Sequence, residues 1–420
     1  MRIYLKTFGC ASNRADSEAI LHILDRSNFQ IVESPKEADA VVVNTCTVRG
    51  ETQHKVLKYI RSLGVKRVLV TGCMAAAQPA LVVRYAPQAF IVSPNNMESM
   101  PNVLQGNLGP MQLRRECIPP PPAPFLKGLK YTMAISRGCT GSCSYCIVRF
   151  ARGCLKSVPI QSLITLARGA IEEGAKEIQI TAQDTGVFGA DIGEDLPSLL
   201  NAIGALDGDF RVRVGMLNPS STAPILDALL NAYASEKIFK FIHIPVQSGS
   251  NRVLEAMRRN YTVSDFSQIV DSFRSKFQSL CLATDVIVGF PGEAEDDFNQ
   301  TTELISEVRP DKTHIARFSP RPHTTAASLD QVPEPVKKKR SSILTVLKKE
   351  IQLGINSKFI GCEVDAMVLE AKSGQLMIAR TDSYKPVWIK HCNTRLLGKR
   401  VTVEIESCTP YSICGLITRR

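Results

Sequence analysis

The stretch RGCTGSCSYC, residues 137–146, places three cysteines at Cys139-x-x-x-Cys143-x-x-Cys146. It directly follows the strand-like run Tyr131–Ser136 and leads into a helical region near Ile160. A cysteine loop between a strand and a helix puts thiolates at the carboxyl end of a parallel strand, where α/β folds bind ligands. Structural zinc sites take four ligands, usually as paired C-x-x-C. Ferredoxin runs also supply four cysteines. Three thiolates at this spacing suit a 4Fe–4S cluster with one iron left without a protein ligand. That iron can chelate the amino and carboxylate groups of a methionine moiety, and an electron passed to it can break a sulfonium carbon–sulfur bond. Tyr145, just before the last cysteine, can lay its ring against an adenine.

Working outward, the same strand–helix rhythm continues. Strand candidates are Tyr131–Ser136, Glu177–Ala182, Arg211–Met216, Phe239–Ile244, Thr284–Gly289 and Thr313–Phe318, with helical stretches such as Ile160–Glu173 and Asn251–Arg259 between them. Six βα units predict an incomplete, six-stranded barrel of the TIM type. Gln183, Asp184, Gln247 and Gly289 fall at strand ends, where polar groups and close backbone approach can serve a cofactor. Arg149 and Arg152 follow the cysteine loop and read as substrate contacts. Lys337–Arg340 reads as a solvated face ahead of a helix over Ser341–Gly354.

The first hundred residues also alternate strand and helix: strands at Arg2–Thr7, Ala40–Asn44 and Arg67–Thr71, helices at Ala15–Arg26 and Glu51–Leu63. This predicts a parallel sheet. Cys10, Cys46 and Cys73 follow the three strands in turn, in FGC, NTCT and TGC. Equivalent strand ends share one crevice, so these thiols are expected to converge on a second metal cluster, again with an open iron. The proline run Pro119–Pro124 is a stiff linker. Residues 356–420 hold five short strand candidates and predict a small β-barrel. The expected domains are therefore 1–117, 118–355 and 356–420, all α/β except the terminal barrel.

The chain has 420 residues and thirteen cysteines. Cys117, Cys154, Cys281, Cys362, Cys392, Cys408 and Cys414 follow no ligand spacing and read as small buried hydrophobes, with disulfides not expected. The net charge is +11, distributed as +5, +2 and +4 over the three expected domains. Basic flanks around a nearly neutral centre suit nucleic acid. Tyr384 and Trp388 read as stacking groups on the terminal barrel. No apolar run is long enough to span a membrane, and MRIYLKTFGC reads as a strand rather than a signal peptide. A cytoplasmic monomer is expected.

The cysteine loop with an aromatic before its last member resembles the radical S-adenosylmethionine signature. With FGCASNRADSE, NTCTVR and VTGCM, then HIPVQSGS, DVIVGFPGE and RFSPRP, nearly the whole chain resembles the methylthiotransferases. The resemblance implies two 4Fe–4S clusters, S-adenosylmethionine as cofactor and radical donor, a reducing electron donor and a sulfur donor. Residues 356–420 resemble the RNA-binding TRAM module. RTDSYKPVWI and QVPEPVKKKR resemble the archaeal and eukaryotic branch, which implies methylthiolation at C2 of N6-threonylcarbamoyladenosine beside the tRNA anticodon. N6-isopentenyladenosine in tRNA, a ribosomal-protein aspartate, or a non-catalytic RNA-binding iron–sulfur protein are the other readings. RPHTT, 321–325, departs from the family in placing His323 where relatives have glycine.

Overall fold

The computed structural model describes residues 1–48, 50–64, 67–113, 116–125, 128–372, 376–390 and 393–419. The amino-terminal sheet is parallel and six-stranded. Its order is Gln30–Ile31, Arg2–Thr7, Ala40–Thr45, Arg67–Gly72, Phe90–Val92 and Met111–Gln112. The central three strands are those expected; the outer three are only two or three residues long and carry no periodic signal. Ala40–Thr45 is buried along its length, as an apolar run covered on both faces must be. Helix Ala11–Arg26 covers one face through Ala19, Ile20, Ile23 and Leu24. Helix Gly50–Ser62 covers the other through Val56, Leu57 and Ile60.

The central strands run in chain order around an open barrel. Arg211–Arg213, Glu177–Thr181 and Lys130–Ala134 form one parallel group; Phe241–His243, Cys281–Val288 and Lys312–Arg317 form the other. Bridges Val212↔Ile238 and Met216↔His243 join the groups. No ladder joins the first strand to the last among the described residues. Alternate residues such as Ile178, Ile180, Val212 and Ile242 enter the main core beneath the helices. The remainder, including Gln179, Arg213, His243, Asp285 and His314, line the lumen.

The last helix runs Glu334–Ser357, longer than the expected Ser341–Gly354. Pro335 stands in its first turn, where a missing N–H costs nothing. The Lys337–Arg340 run is therefore helical and only partly solvated. Arg340 is buried and pairs with Glu293 at 2.7 Å, while the buried Lys337 lies over the Phe318 ring.

Residues Glu363–Arg419 close a five-stranded barrel. It docks on the base of the central barrel. Lys385 pairs with Asp311 at 2.9 Å, and Asp382 meets Arg211 at 3.4 Å. Tyr384 is not an exposed stacking group. Its ring packs on Phe239 and Phe241, and its hydroxyl donates to Glu177 at 2.7 Å. Trp388 is half-buried in its strand.

Helix Ala11–Arg26 leans on the first barrel strand, where the Thr132 N–H donates to Glu18 at 3.3 Å. Burial pushes the Glu18 carboxyl from 4.5 up to about 7. A folded pKa above the unfolded one gives stability that is full below pH 4.5 and lost as pH rises through 7. Glu18→Gln should remove this dependence. Its stability gain over the parent should grow by at most about 3 kcal/mol from pH 4.5 to pH 8, read from urea midpoints at each pH. A gap that does not change with pH would contradict this.

Candidate metal centres

Cys10 is the N-cap of helix Ala11–Arg26, Cys46 follows strand Ala40–Thr45, and Cys73 opens the short helix Cys73–Ala77. The three converge as expected. Asn13 Oδ1 accepts from Cys10 Sγ at 3.8 Å and from Cys73 Sγ at 3.9 Å. A Cβ on Gly9 would stand 2.7 Å from Cys46 Cβ, so only glycine lets that turn pass. Burial pushes the Cys46 thiol up to about 12, and Cys73 and Cys10 push it the same way. Thiols this reluctant to ionise become thiolates when a metal replaces their protons.

The second triad is held as tightly. The Gly141 N–H donates to Cys139 Sγ at 3.2 Å. A Cβ at Gly141 would lie 3.3 Å from that sulfur and 3.7 Å from Cys143 Sγ. The backbone of Cys146 bonds to Cys143 O at 3.2 Å. Burial pushes Cys146 up to about 12, with Cys143 and Cys139 adding to it. Arg259 Nη1 donates to Cys143 Sγ at 3.3 Å. Arg259 is itself fixed by Tyr261, whose hydroxyl is 3.0 Å from Nε. Both triads thus offer three sulfurs, a positive neighbour and close backbone, which fits a three-thiolate cluster.

Arg152 binds the first triad and is no exposed substrate contact. It is 2% exposed, and its Nε donates to Cys73 Sγ at 3.4 Å. Its Nη2 donates to Asn13 Oδ1 at 2.9 Å, and its Nη1 pairs with Asp16. Arg137, also 2% exposed, pairs with the other Asp16 oxygen at 3.1 Å. Burial opposes the charge on Arg152, yet Asp16 and the thiols of Cys73 and Cys10 outweigh it and raise its pKa. Segment 147–152 therefore carries the second triad on one end and grips the first with the other. Ile147 and Ala151 pack against Cys73 itself.

The other candidates have definite places. Gln183 Oε1 accepts from the Gly138 N–H at 2.7 Å, clamping the cysteine loop. Asp184 is buried and accepts from the N–H groups of Gly186 and Asn218 and from the Ser221 hydroxyl. Gln247 adopts φ 68° and bridges Val286. Gly289, at φ 70°, is approached by the Lys337 stem, 2.3 Å from where a Cβ would sit. Tyr145 packs edge-on to Phe290, 6.4 Å between centroids. Arg149 is exposed on the short helix Val148–Arg152. His323, exposed at φ 67°, meets the exposed Phe150 ring at 5.5 Å.

The seven remaining cysteines are not all buried thiols. Cys117 and Cys154 form a disulfide, Cα atoms 5.7 Å apart, tying the chain just before the proline linker to the segment after helix Val148–Arg152. Cys281 is buried, Cys362 is exposed and Cys408 and Cys414 are half-buried. Cys392 lies outside the described residues. No helix among the described residues is long and apolar enough to cross a membrane.

Comparison with known proteins fits this geometry. Residues 2–93 match uncharacterized protein family UPF0004, 133–305 the radical SAM superfamily and 357–415 the TRAM domain. The solved radical S-adenosylmethionine methyltransferase TsrM of Kitasatospora setae superposes with a TM-score of 0.56, covering 78% of this chain and 77% of that one. At 13% identity that likeness is one of fold. The middle of the chain is a radical S-adenosylmethionine barrel. A Pyrococcus abyssi protein named "Probable threonylcarbamoyladenosine tRNA methylthiotransferase" is 39% identical, over 99% of both chains. The Danio rerio "Threonylcarbamoyladenosine tRNA methylthiotransferase" is 31% identical over 99% of this chain and 78% of its own. The chain belongs to the threonylcarbamoyladenosine tRNA methylthiotransferase family.

Proposed function

We propose that this enzyme adds a methylthio group to C2 of N6-threonylcarbamoyladenosine beside the anticodon of tRNA. The observation that carries the reading is the pairing of two three-cysteine sites across segment 147–152, in a chain similar over its full length to curated enzymes of that name. In this reading Cys139, Cys143 and Cys146 hold one 4Fe–4S cluster, and Cys10, Cys46 and Cys73 hold the other. When bound, the clusters supply the electron that cleaves S-adenosylmethionine to a 5′-deoxyadenosyl radical, and the sulfur that is methylated and transferred.

The chain's own residues do the rest. Gly141 and Arg259 donate to the sulfurs of one triad, and Arg152 to the other. Such bonds favour added negative charge on a cluster. Gln183 holds the loop against the second strand, while Tyr145 offers a ring to the adenine of the cofactor. Asp184, Gln247 and Gly289 shape the strand ends beside it. Residues 1–117 carry the sulfur-donating site, 118–355 the radical site, and 356–420 a module for the tRNA backbone, drawn by the basic surplus. An electron donor and a sulfur donor act from outside.

The test is nucleoside mass spectrometry of tRNA from a strain lacking the gene. Loss of the methylthiolated threonylcarbamoyl nucleoside alone is the expected result. Loss of only the isopentenyl form would overturn the nucleoside. No change in either would move the reading to a ribosomal-protein substrate.

A further inference from the structure

The floor of the central barrel gathers three cations. Arg213 of the third strand and Lys312 of the sixth project inward, and Arg380 reaches in from the terminal barrel. Arg213 lies over the rings of Phe241 at 5.0 Å and Tyr384 at 5.8 Å; Arg380 lies over Tyr384 at 4.6 Å. The Lys312 ammonium is lowered first by burial and then by Arg380 and Arg213, with Cys281 and Asp285 opposing. Among the described residues, none of the three cations has a carboxylate within 4.0 Å. The Nε of Arg380 is buried without a hydrogen-bond partner.

Two acids, Glu177 and Asp285, face the same lumen but form no direct ion pair with these cations among the described residues; one Glu177 oxygen is buried without a hydrogen-bond partner, and Asp285 raises the Lys312 pKa from a distance. Glu177 accepts from Tyr384 and Gln179, and Asp285 pairs with His243 at 3.1 Å. His314 is the register partner of Asp285, and Lys312 lies two residues, about 7 Å, further down the same strand. Ligand atoms of His243, Asp285 and His314 lie within 4.8 Å of one another, a set a divalent cation could use. Three cations beneath them argue for the opposite ligand. Like charges crowded in a poorly screened space repel, and an anion between them relieves the repulsion.

We propose that Arg213, Lys312 and Arg380, with His314 above them, bind the threonine carboxylate of the N6 substituent and so select the nucleoside. The proposal rests on the function given above and supplies what reads the N6 group. An isopentenyl group carries no charge and would leave the three cations without a direct ion-pair partner. A carboxylate gains charge-assisted bonds from them. It also gives the docked terminal barrel a part in the site, since Arg380 comes from that barrel and Tyr384 shapes the floor.

The experiment uses the reconstituted full chain and two anticodon stem-loop RNAs. One carries N6-threonylcarbamoyladenosine; the other carries its neutral, near-isosteric carboxamide. The acid should be methylthiolated with a kcat/KM at least about 30-fold above the amide. In Lys312→Met that preference should fall below about 5-fold. Equal rates for acid and amide in the parent enzyme overturn the proposal, even if the variant fails to fold. An unchanged preference in both a folded Lys312→Met and a folded Arg213→Met also overturns it. If the parent ignores both RNAs but methylthiolates an isopentenyl stem-loop, the nucleoside assignment itself has failed and this proposal falls with it.

Discussion

Asp16→Asn should destabilise the junction of the amino-terminal sheet and the barrel by about 3–5 kcal/mol. Asp16 is 4% exposed and is the carboxylate between two arginines that are each 2% exposed. Asparagine keeps the shape but removes the charge, leaving Arg137 and Arg152 facing each other in a space without water. Removing one member of a buried ion group costs far more than the group contributes against apolar residues, because the stranded charges stay desolvated. Calorimetry should show the first unfolding transition fall by roughly 10 °C. The control is Asp39→Asn, which breaks the exposed Arg2–Asp39 pair, 50% and 44% exposed; it should cost under about 1 kcal/mol. If the two variants shift the transition equally, the Asp16 group does not hold the junction.

This network also marks where reading the sequence stops. The cysteines could be placed because local patterns placed their strands. Ala40–Thr45 and Arg67–Gly72 are continuous apolar runs, so Cys46 and Cys73 had to lie at matching ends. The central strands were legible for the same reason, and so was the closed terminal barrel. Arg152 was misread because its partner Asp16 lies 136 positions earlier, and no local period announces such a pair. One signal was available: Arg152 shares its short helix with the apolar Ala151 next to a cysteine site, an awkward place for a solvated side chain. Tyr384 was misread likewise, since its burial comes from docking between two barrels. The Cys117–Cys154 disulfide joins the chain just before the proline linker to the segment after helix Val148–Arg152, and neither side carries a spacing rule. The lumen cations left a trace in RVRVG, residues 211–215. Arginines alternating with valines put charge on the inward face of a strand. That pattern gains its meaning only when Lys312 and Arg380 arrive from remote segments.

The largest separation of effects is expected between the two cysteine triads. Cys143→Ala removes a sulfur that Arg259 bonds at 3.3 Å and takes a ligand from the site proposed to cleave S-adenosylmethionine. Formation of 5′-deoxyadenosine should drop by at least about 1,000-fold, and methylthiolation with it, because no other group supplies the electron. Cys73→Ala removes a sulfur that Arg152 bonds at 3.4 Å, at the other end of segment 147–152. That variant should still release 5′-deoxyadenosine, within about 10-fold of the parent, while its methylthiolated product falls below detection. The split follows from geometry. The triads sit on different sheets with separate backbone supports, Gly141 for one and the Gly9 turn for the other, so emptying the Cys73 site leaves the supports of the Cys139 site in place. Iron and absorbance measurements on each variant establish which site is filled. If Cys73→Ala abolished 5′-deoxyadenosine with the Cys139 triad fully loaded, the two sites would be one electron-transfer unit. The division of labour between radical generation and sulfur supply would then be wrong.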